Sequence, residues 1–207
     1  MKIFCISYQR TGTTSTGMFF KQCGYKVAGW DVNMHTNWTF KWLDGQYDDI
    51  VNCPVFNQYQ VFEDDPWWCL DFYKYLYHKV SDSYFILFER DSNKWYNSMM
   101  SHSKGKTLGN TYIHCLLYNR LPEYRALNIE YTKSIDNLLP LNEDYREHYT
   151  TIYETRNNEV KDFFKRHDNR RLINLQLEDL DKWLKLAKYF NISNAPVHDV
   201  WINPKTI

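Results

Sequence analysis

The sequence lacks an excess of charge of either sign, because 25 Lys and Arg residues are balanced by 25 Asp and Glu residues. General nucleic-acid binders normally carry a basic excess, so this balance argues against that class of function. It leaves room for a local anion pocket, since such a pocket needs only a few cationic side chains. We therefore expect no nucleic-acid partner.

Paired cysteines are missing as well. Five cysteines are spread along the chain without a Cys-x-x-Cys pair, and seven histidines are scattered. An odd, unpatterned set of cysteines indicates free thiols in a reducing compartment, and it offers no cluster of zinc ligands. We expect no metal site, and we expect Cys5 to be a small buried side chain in a strand.

Long apolar runs are absent too. No stretch approaches the roughly 20 apolar residues that a membrane-spanning helix needs. The first residues, Met1–Phe4, lead directly into a predicted strand rather than a signal peptide. The sequence therefore predicts a cytoplasmic protein with no membrane partner.

Short apolar runs alternate with helical patterns along the chain. Such alternation predicts a parallel sheet, and the predicted strands cover residues 2–8, 58–62, 84–89 and 171–175. The first predicted helix ends at Gly24, and the second begins at Asp64-Asp65-Pro66. Further helices are predicted over 92–101 and 182–190. Most of 111–166 is also predicted to be helical, with breaks around Leu121-Pro122 and Leu139-Pro140. The tail, Pro196–Ile207, is predicted to be irregular. The fold prediction is a single α/β domain over residues 1–207, with a central parallel sheet flanked by helices.

A loop rich in hydroxyl groups connects the first predicted strand to the first predicted helix. Backbone N–H groups in such a loop point with the helix N-terminus toward one spot, which is a geometry that binds phosphate. The candidate binding residues are Arg10, Thr11, Gly12, Thr13, Thr14 and Ser15. The alternative is a capped helix that follows a strand and binds no ligand.

Two better-known phosphate loops do not fit this segment. The GxxxxGK[ST] loop of nucleotide triphosphatases is absent, because no Gly-Lys pair precedes Thr13 or Ser15. The Cys-x5-Arg loop of phosphatases fails, since only four residues separate Cys5 from Arg10. The loop is therefore predicted to bind a terminal phosphate or phosphosulfate without magnesium.

A second motif begins where another predicted strand ends. Arg90 stands at that end, and Ser98 follows eight residues later, about two turns into a predicted helix. Both residues can face the carboxyl edge of the sheet, where ligands of open α/β folds bind. The alternative is that Arg90 pairs with Asp91 and that Ser98 lies on a solvated helix face.

With both motifs in this order, the sequence resembles the sulfotransferases that use 3′-phosphoadenosine 5′-phosphosulfate (PAPS). The run Tyr8–Thr14 is similar to the family's Y-P-K-S-G-T-T loop for the 5′-phosphosulfate, and closer to the form G-R-T-G-T-x-S. Arg90 and Ser98 match the Arg and Ser of its 3′-phosphate motif R-D-P-x-x-W-x-x-S. The resemblance implies a P-loop-containing nucleotide-binding fold, PAPS as sulfuryl donor, 3′,5′-ADP as product and no metal.

The sequence departs from the family pattern in three respects. Arg10 replaces the common lysine, which keeps the charge but removes a group that could give up a proton. Ser92 stands where the family motif has proline. The C-terminal R-K-G-x-x-G segment of the cytosolic enzymes is missing.

The resemblance also implies a general base after the strand that follows the first helix. Asp64 occupies that place, within Glu63-Asp64-Asp65-Pro66. Mutual repulsion among three carboxylates raises the pKa of one of them toward the working range. Glu63 and Asp65 stay open as alternatives, His35 is the second choice of base, and helix capping is the non-catalytic alternative for this acidic run.

The predicted catalytic residues are therefore Arg10, Asp64 and His35. The acceptor is a small molecule or a carbohydrate with a hydroxyl or amine group, and a ring-shaped acceptor would suit the tryptophans at positions 30, 38, 42, 67 and 68. The alternative functions are a metal-dependent small-molecule kinase and a non-catalytic nucleotide-binding module. The oligomeric state is open.

Overall fold

The computed structural model describes residues 1–134 and 136–196. Its chain divides into two compact units. The first comprises Met1–Arg90 and the described residues from Val160 onward, and the second comprises Asp91–Glu159. The predicted irregular tail lies outside the described residues except for Pro196.

The first unit contains a sheet of five strands. These are β1 (Lys2–Cys5), β2 (Val27–Ala28), β3 (Val61–Phe62), β4 (Ser83–Glu89) and β5 (Leu172–Gln176). Their order across the sheet is β2-β3-β1-β4-β5, and every neighbouring pair is parallel. The predicted α/β class and parallel sheet are confirmed, although β2 was not predicted and β1 ends at Cys5 instead of residue 8.

Eleven α-helices occur in the described part of the chain. In chain order they are α1 (Thr13–Gln22), α2 (Trp30–Thr36), α3 (Trp38–Leu43), α4 (Tyr47–Val51), α5 (Pro54–Gln58), α6 (Phe72–Lys79), α7 (Ser92–Ser103), α8 (Thr111–Leu117), α9 (Leu121–Ala126), α10 (Arg146–Arg166) and α11 (Lys182–Tyr189). Helices α7, α8 and α9 belong to the second unit, and α10 runs from the second unit into the first.

Alternation of side chains along the strands gives the sheet two different apolar faces. On one face, aliphatic side chains such as Ile3, Val61 and Ile86 pack in one cluster with Phe19 of α1 and Leu186 of α11. On the other face the core is aromatic. It contains Phe4, Phe62, Phe85, Trp38, Phe56 and Trp67, whose rings stack or meet edge to face.

The helix predicted to begin at Asp64-Asp65-Pro66 is wrong in its start. Asp64 and Leu70 adopt positive φ angles of 73° and 41°, which a right-handed helix does not contain. Helix α6 therefore begins at Phe72. Helix capping by Asp64 or Asp65 is excluded for the same reason, since Asp71 holds the N-cap position.

The break predicted around Leu121-Pro122 is confirmed, because α8 ends at Leu117 and α9 begins at Leu121. Helix α9 starts there, because proline is tolerated in a first helical turn, where its missing N–H would have no partner. The break at Leu139-Pro140 is confirmed, since α10 begins at Arg146.

A buried polar network holds the second unit together. Arg120 forms a bidentate ion pair with Glu123, and its Nη1 donates to the Pro140 carbonyl (2.9 Å) and to the Tyr149 hydroxyl (3.1 Å). The same hydroxyl lies 2.7 Å from Nε2 of His114. Burial lowers the pKa of His114 to about 3, and the charge of Arg120 contributes, so this imidazole is neutral at ordinary pH.

Candidate functional site

The sheet topology brings the chemistry-bearing loops of the first unit to one edge. In a parallel sheet all carboxyl ends of the strands lie at the same edge, where ligands of such folds bind. Residues 6–12, here called the β1 loop, follow the central strand. The acidic segment, Glu63–Asp65, follows the neighbouring strand β3, and Arg90 follows the neighbour on the other side, β4.

The β1 loop ends in a tight turn at the start of α1. Gly12 has a φ of 84°, in the left-handed region that favours glycine, and a Cβ atom there would lie 2.6 Å from Cδ1 of Leu177. Helix α1 begins at the next residue without a side-chain cap. Its first N–H groups therefore open toward the sheet edge, in the arrangement that binds anions.

Hydroxyl groups of the loop have different roles. Thr11 is buried and donates to the Tyr8 carbonyl, and Thr16 donates to the Gly12 carbonyl (2.9 Å), so both stabilise the loop itself. Thr13 and Ser15 are buried, whereas Thr14 is exposed. Among the predicted binding residues, Thr11 thus shapes the loop with its side chain.

Arg90 is in direct contact with the β1 loop. Its Nη1 donates to the backbone carbonyl of Arg10 (3.3 Å), and its Nε lies 3.2 Å from a carboxylate oxygen of Glu178. Burial, and then the positive charge of Arg90, lower the pKa of the Arg10 guanidinium. Two guanidinium groups therefore repel each other beside the open end of α1, and a bound anion would relieve that repulsion.

The two specific alternatives for the second motif, an Arg90–Asp91 pair and a solvated Ser98, do not match the structure. Asp91 caps α7 by accepting a hydrogen bond from the Lys94 N–H (2.9 Å), and Arg90 pairs with Glu178. Ser98 lies in α7 of the second unit and is only 7% exposed, so it does not lie on a solvated helix face.

The chain that follows the acidic segment contacts the β1 loop through aromatic side chains. The rings of Tyr8 and Trp68 lie 5.4 Å apart, and both side chains are buried. Asp64 and Asp65 are half-buried, and Oδ1 of Asp64 accepts from the Asp65 N–H (3.0 Å). Glu63 is buried at the carboxyl end of β3, where its N–H donates to the Ala28 carbonyl (3.0 Å).

Burial raises the pKa of every carboxyl group in the acidic segment. The pKa of Glu63 rises to about 8, with burial the largest cause and the charge of Asp64 the next. The pKa of Asp65 also rises to about 8, from burial and then from Asp64. Burial raises the pKa of Asp64 as well, while the hydrogen bond from the Asp65 N–H opposes that rise.

The remaining sequence candidates have simpler environments. His35 is exposed in the last turn of α2 and makes no hydrogen bond or ring contact within the described residues. Cys5 is buried in β1, as predicted, and burial raises the pKa of its thiol to about 11. Of the five tryptophans predicted to suit a ring-shaped ligand, those at positions 38, 42, 67 and 68 are buried, and Trp30 is 49% exposed.

The sequence did not reveal the residues that contact Gly12 and Arg90 and hold them in position. Leu177 packs on Gly12, and Glu178 pairs with Arg90. Both follow β5 directly, so the rule that residues after parallel strands share one edge would have found them. Gly17 and Gly29, which border the Glu63 side chain, carried no comparable signal.

With this geometry established, the comparison with protein families is decisive. The model of the sulfotransferase domain family matches residues 2–198. The chain belongs to the sulfotransferase domain family. It is accordingly a transferase that acts in sulfuryl transfer. No curated protein matches its sequence.

The described residues contain neither a membrane-spanning helix nor a cluster of metal ligands. Within residues 1–134 and 136–196, no helix is both long and apolar enough to cross a membrane. In the same residues no three His, Cys, Asp or Glu side chains are grouped so that they could hold a metal ion.

Proposed function

We propose that this sulfotransferase-family chain moves the sulfuryl group of PAPS to a hydroxyl or amine of its acceptor. The observation that carries the proposal is the meeting of Arg10 and Arg90 at the uncapped N-terminus of α1. Two permanently charged guanidinium groups and a row of backbone N–H groups suit a phosphosulfate. In this reaction PAPS supplies an activated sulfur atom and a phosphate leaving group.

The β1 loop would act on the leaving phosphate. Negative charge develops on the phosphate oxygens as the bond to sulfur breaks, and donors fixed in advance stabilise that charge. Arg10 and the backbone N–H groups of Gly12, Thr13 and Thr14 hold this position in the proposal. Arg10 stays charged throughout, because a guanidinium does not give up its proton in proteins.

The 3′-phosphate is assigned to Arg90 and Ser98 on the sequence motif alone. A protein with such a contact would distinguish PAPS from ATP, which has no 3′-phosphate. The contact of Arg90 with the Arg10 carbonyl supports a shared role for the two motifs, since it ties the end of β4 to the β1 loop.

The acceptor needs a base, and Asp64 is the proposed one. Burial raises its pKa from the ordinary value, which brings the carboxylate nearer to the basicity that proton removal requires. Asp64 is half-buried and therefore more accessible than Glu63. His35 remains the second choice of base.

Nucleotide binding provides the test. Without magnesium, 3′,5′-ADP should bind at least about tenfold more tightly than 5′-AMP, because charge-assisted hydrogen bonds to a second phosphate contribute about 1.5–3 kcal/mol. Titration calorimetry with both nucleotides measures this directly. Equal affinities would overturn the donor assignment, and a strict need for magnesium with ATP would indicate a kinase. Tight 3′,5′-ADP binding without transfer to any acceptor would indicate a binding module.

A further inference from the structure

The carboxyl edge of the sheet is electrically polarised. Arg10 and Arg90 follow the central strand and its neighbour β4, whereas Glu63–Asp65 follow β3 and Asp31 follows β2. If the proposed function holds, the anionic donor occupies the cationic side. The acidic side is then left for the acceptor, and like-charge repulsion there would disfavour an anionic acceptor.

Glu63 is packed in a way that gives its carboxyl group no internal partner. A Cβ atom on Gly29 would lie 2.5 Å from Glu63 Oε1, and one on Gly17 would lie 3.0 Å from its Cγ, so only glycine leaves room for this side chain. Glu63 is 7% exposed, and no described residue donates a hydrogen bond to its Oε2. The Asp65 carboxyl group is different, because a hydrogen bond from the Trp68 side chain lowers its pKa.

Buried acceptors without donors are rare in folded proteins, because each loses its hydration and gains nothing in exchange. The Oε2 atom of Glu63 is such an acceptor, and with two further carboxyl groups beside it in sequence it calls for a ligand that brings several N–H or O–H donors. A primary ammonium group brings three donors and a positive charge.

The charged groups around Glu63 favour a cation as well. Among the described residues, Lys21 of α1 lowers the Glu63 pKa, whereas Asp64 and Asp31 raise it, and the Cys5 thiol on the β1 side stays neutral. Carboxylates outnumber cations in this set, so an added positive charge would be stabilised.

An exposed aromatic residue is next in sequence to a glycine beside the Glu63 carboxyl group. Trp30 directly follows Gly29, which borders Glu63, and it is 49% exposed. Indole is the aromatic ring that attracts cations most strongly, and carboxylates beside an aromatic face are a common setting for ammonium recognition.

We propose that Glu63, Asp64 and Asp65, together with Asp31 and Trp30, bind a primary ammonium group of the acceptor substrate. That the bound amine is the acceptor rests on the proposed function. Binding of an ammonium group to these residues does not depend on it. It narrows the acceptor class from hydroxyl or amine compounds in general to compounds that carry a cationic amine.

Titration calorimetry of the full chain with benzylamine and benzyl alcohol tests the inference. The two probes share a ring and differ in the ammonium group, so benzylamine should bind at least about tenfold more tightly. At about pH 7 the bound cation should ionise Glu63 and Asp65, whose pKa values are both about 8, and about one to two protons should leave the protein. Proton release is seen as a binding heat that changes with the ionisation enthalpy of the buffer.

The pH dependence follows from the same linkage. Since protonated Glu63 and Asp65 must ionise to pair with the cation, affinity for benzylamine should rise between about pH 6 and pH 8, by up to about tenfold per pH unit for each group that ionises. Benzyl alcohol should show no such rise.

Three variants refine the test. Glu63→Gln keeps the shape of the side chain and should remove the part of the proton release that comes from Glu63 and most of the preference for the amine. Trp30→Ala should weaken benzylamine binding several-fold without changing the proton count. Asp49→Asn alters an exposed carboxylate of α4 and should leave binding unchanged. Should Glu63→Gln fail to fold by circular dichroism, Asp65→Asn takes its place.

The outcomes separate this inference from the proposed function. Binding of 3′,5′-ADP together with equal affinities for the two probes would overturn the ammonium site and leave sulfuryl transfer from PAPS intact. A preference for benzylamine that survives in both Glu63→Gln and Asp65→Asn would also overturn it. Amine binding without 3′,5′-ADP binding would support the site and count against the donor assignment.

Discussion

Arg10 combines an uncommon backbone conformation with a charge that is partly removed from water. Its φ of 67° lies in the left-handed region, where a side chain other than glycine is strained. The Arg90 side chain holds the peptide in place by donating to the Arg10 carbonyl. Strain of this kind persists where the surroundings fix it, and it concentrates at functional sites.

Removal of the Arg10 side chain should impair transfer far more than folding. Arg10→Ala should lower the transfer rate by about 100-fold or more, because a donor aimed at developing negative charge is lost. Arg10→Lys should retain part of the activity, since a positive charge remains. Steady-state rates and thermal unfolding of both variants measure the two effects. Arg166→Ala, which removes an exposed arginine of α10, is the control, and a fully active Arg10→Ala would remove the β1 loop from the mechanism.

Asp64 should matter for turnover and little for stability. Asp64→Asn keeps an oxygen that can accept from the Asp65 N–H, and asparagine tolerates the positive φ of 73°. Loss of the base should therefore lower kcat strongly and leave 3′,5′-ADP affinity near normal.

Parallel kinetics on neighbouring residues decide which group is the base. Glu63→Gln should mainly raise the KM for the acceptor, and His35→Ala should have little effect. An active Asp64→Asn beside an inactive Glu63→Gln or His35→Ala would move the base to that residue. If all three variants keep normal turnover, the acceptor needs no protein base.

At the scale of elements, the turn from β1 into α1 depends on Gly12, and the chain supplies a matched control. Gly12 and Gly24 have nearly the same φ, 84° and 86°, but only a Cβ on Gly12 meets another atom within 4 Å. Gly24→Ala should destabilise the protein by about 1–2 kcal/mol through backbone strain alone. Gly12→Ala should cost more and should abolish 3′,5′-ADP binding, because the clash with Leu177 moves the loop. Denaturant unfolding and calorimetry measure both effects, and equal losses in the two variants would contradict the prediction.

A second substitution isolates that clash. In the double variant Gly12→Ala with Leu177→Ala, the extra destabilisation relative to Gly24→Ala should shrink, once the cost of Leu177→Ala alone is subtracted. Strict additivity would show that Leu177 is not what Gly12 must avoid.

The parts of the fold that could be predicted are those with a strong local signal. The long apolar run of β4 and the hydroxyl-rich loop before α1 each carry a pattern that depends little on the rest of the chain. Strand β2 has two residues, and α2–α5 have five to seven each, which is too short for periodicity to appear. The segment 64–71 has the sequence of a helix start, yet the left-handed conformations of Asp64 and Leu70 override it.

Residues of the candidate site could be predicted only where a short sequence motif includes the charged or glycine residue itself. Arg10, Gly12 and Arg90 are visible as residues that follow strands. The pairing of Arg90 with Glu178 joins residues 88 positions apart, and no local pattern announces it. Likewise, the burial of Trp38, Trp42, Trp67 and Trp68 depends on the tertiary packing of the aromatic face of the sheet.

For the molecule as a whole, two buried groups make stability depend on pH in opposite directions. In the unfolded chain His114 binds a proton below its ordinary pKa of 6.5, whereas in the folded chain its pKa is about 3. Acid therefore destabilises the fold through this residue. Glu63 acts the other way, because its pKa in the folded chain, about 8, lies above the ordinary 4.5.

The contribution of Glu63 can be isolated by comparison with Glu63→Gln. Between its ordinary pKa of 4.5 and its folded pKa of about 8, only the unfolded chain ionises, so rising pH favours unfolding. Each pKa unit corresponds to about 1.4 kcal/mol, and the wild type should therefore lose a few kcal/mol relative to the variant from about pH 5 to pH 8. Thermal melts of both proteins at fixed ionic strength measure the difference, and the effect of His114 cancels because both retain it. Glu159→Gln, which alters an exposed glutamate of α10, should follow the wild-type profile. If the wild type and Glu63→Gln gave parallel profiles across this range, Glu63 would be ionised in the folded protein, and the proton release expected on ammonium binding would have no source in this residue.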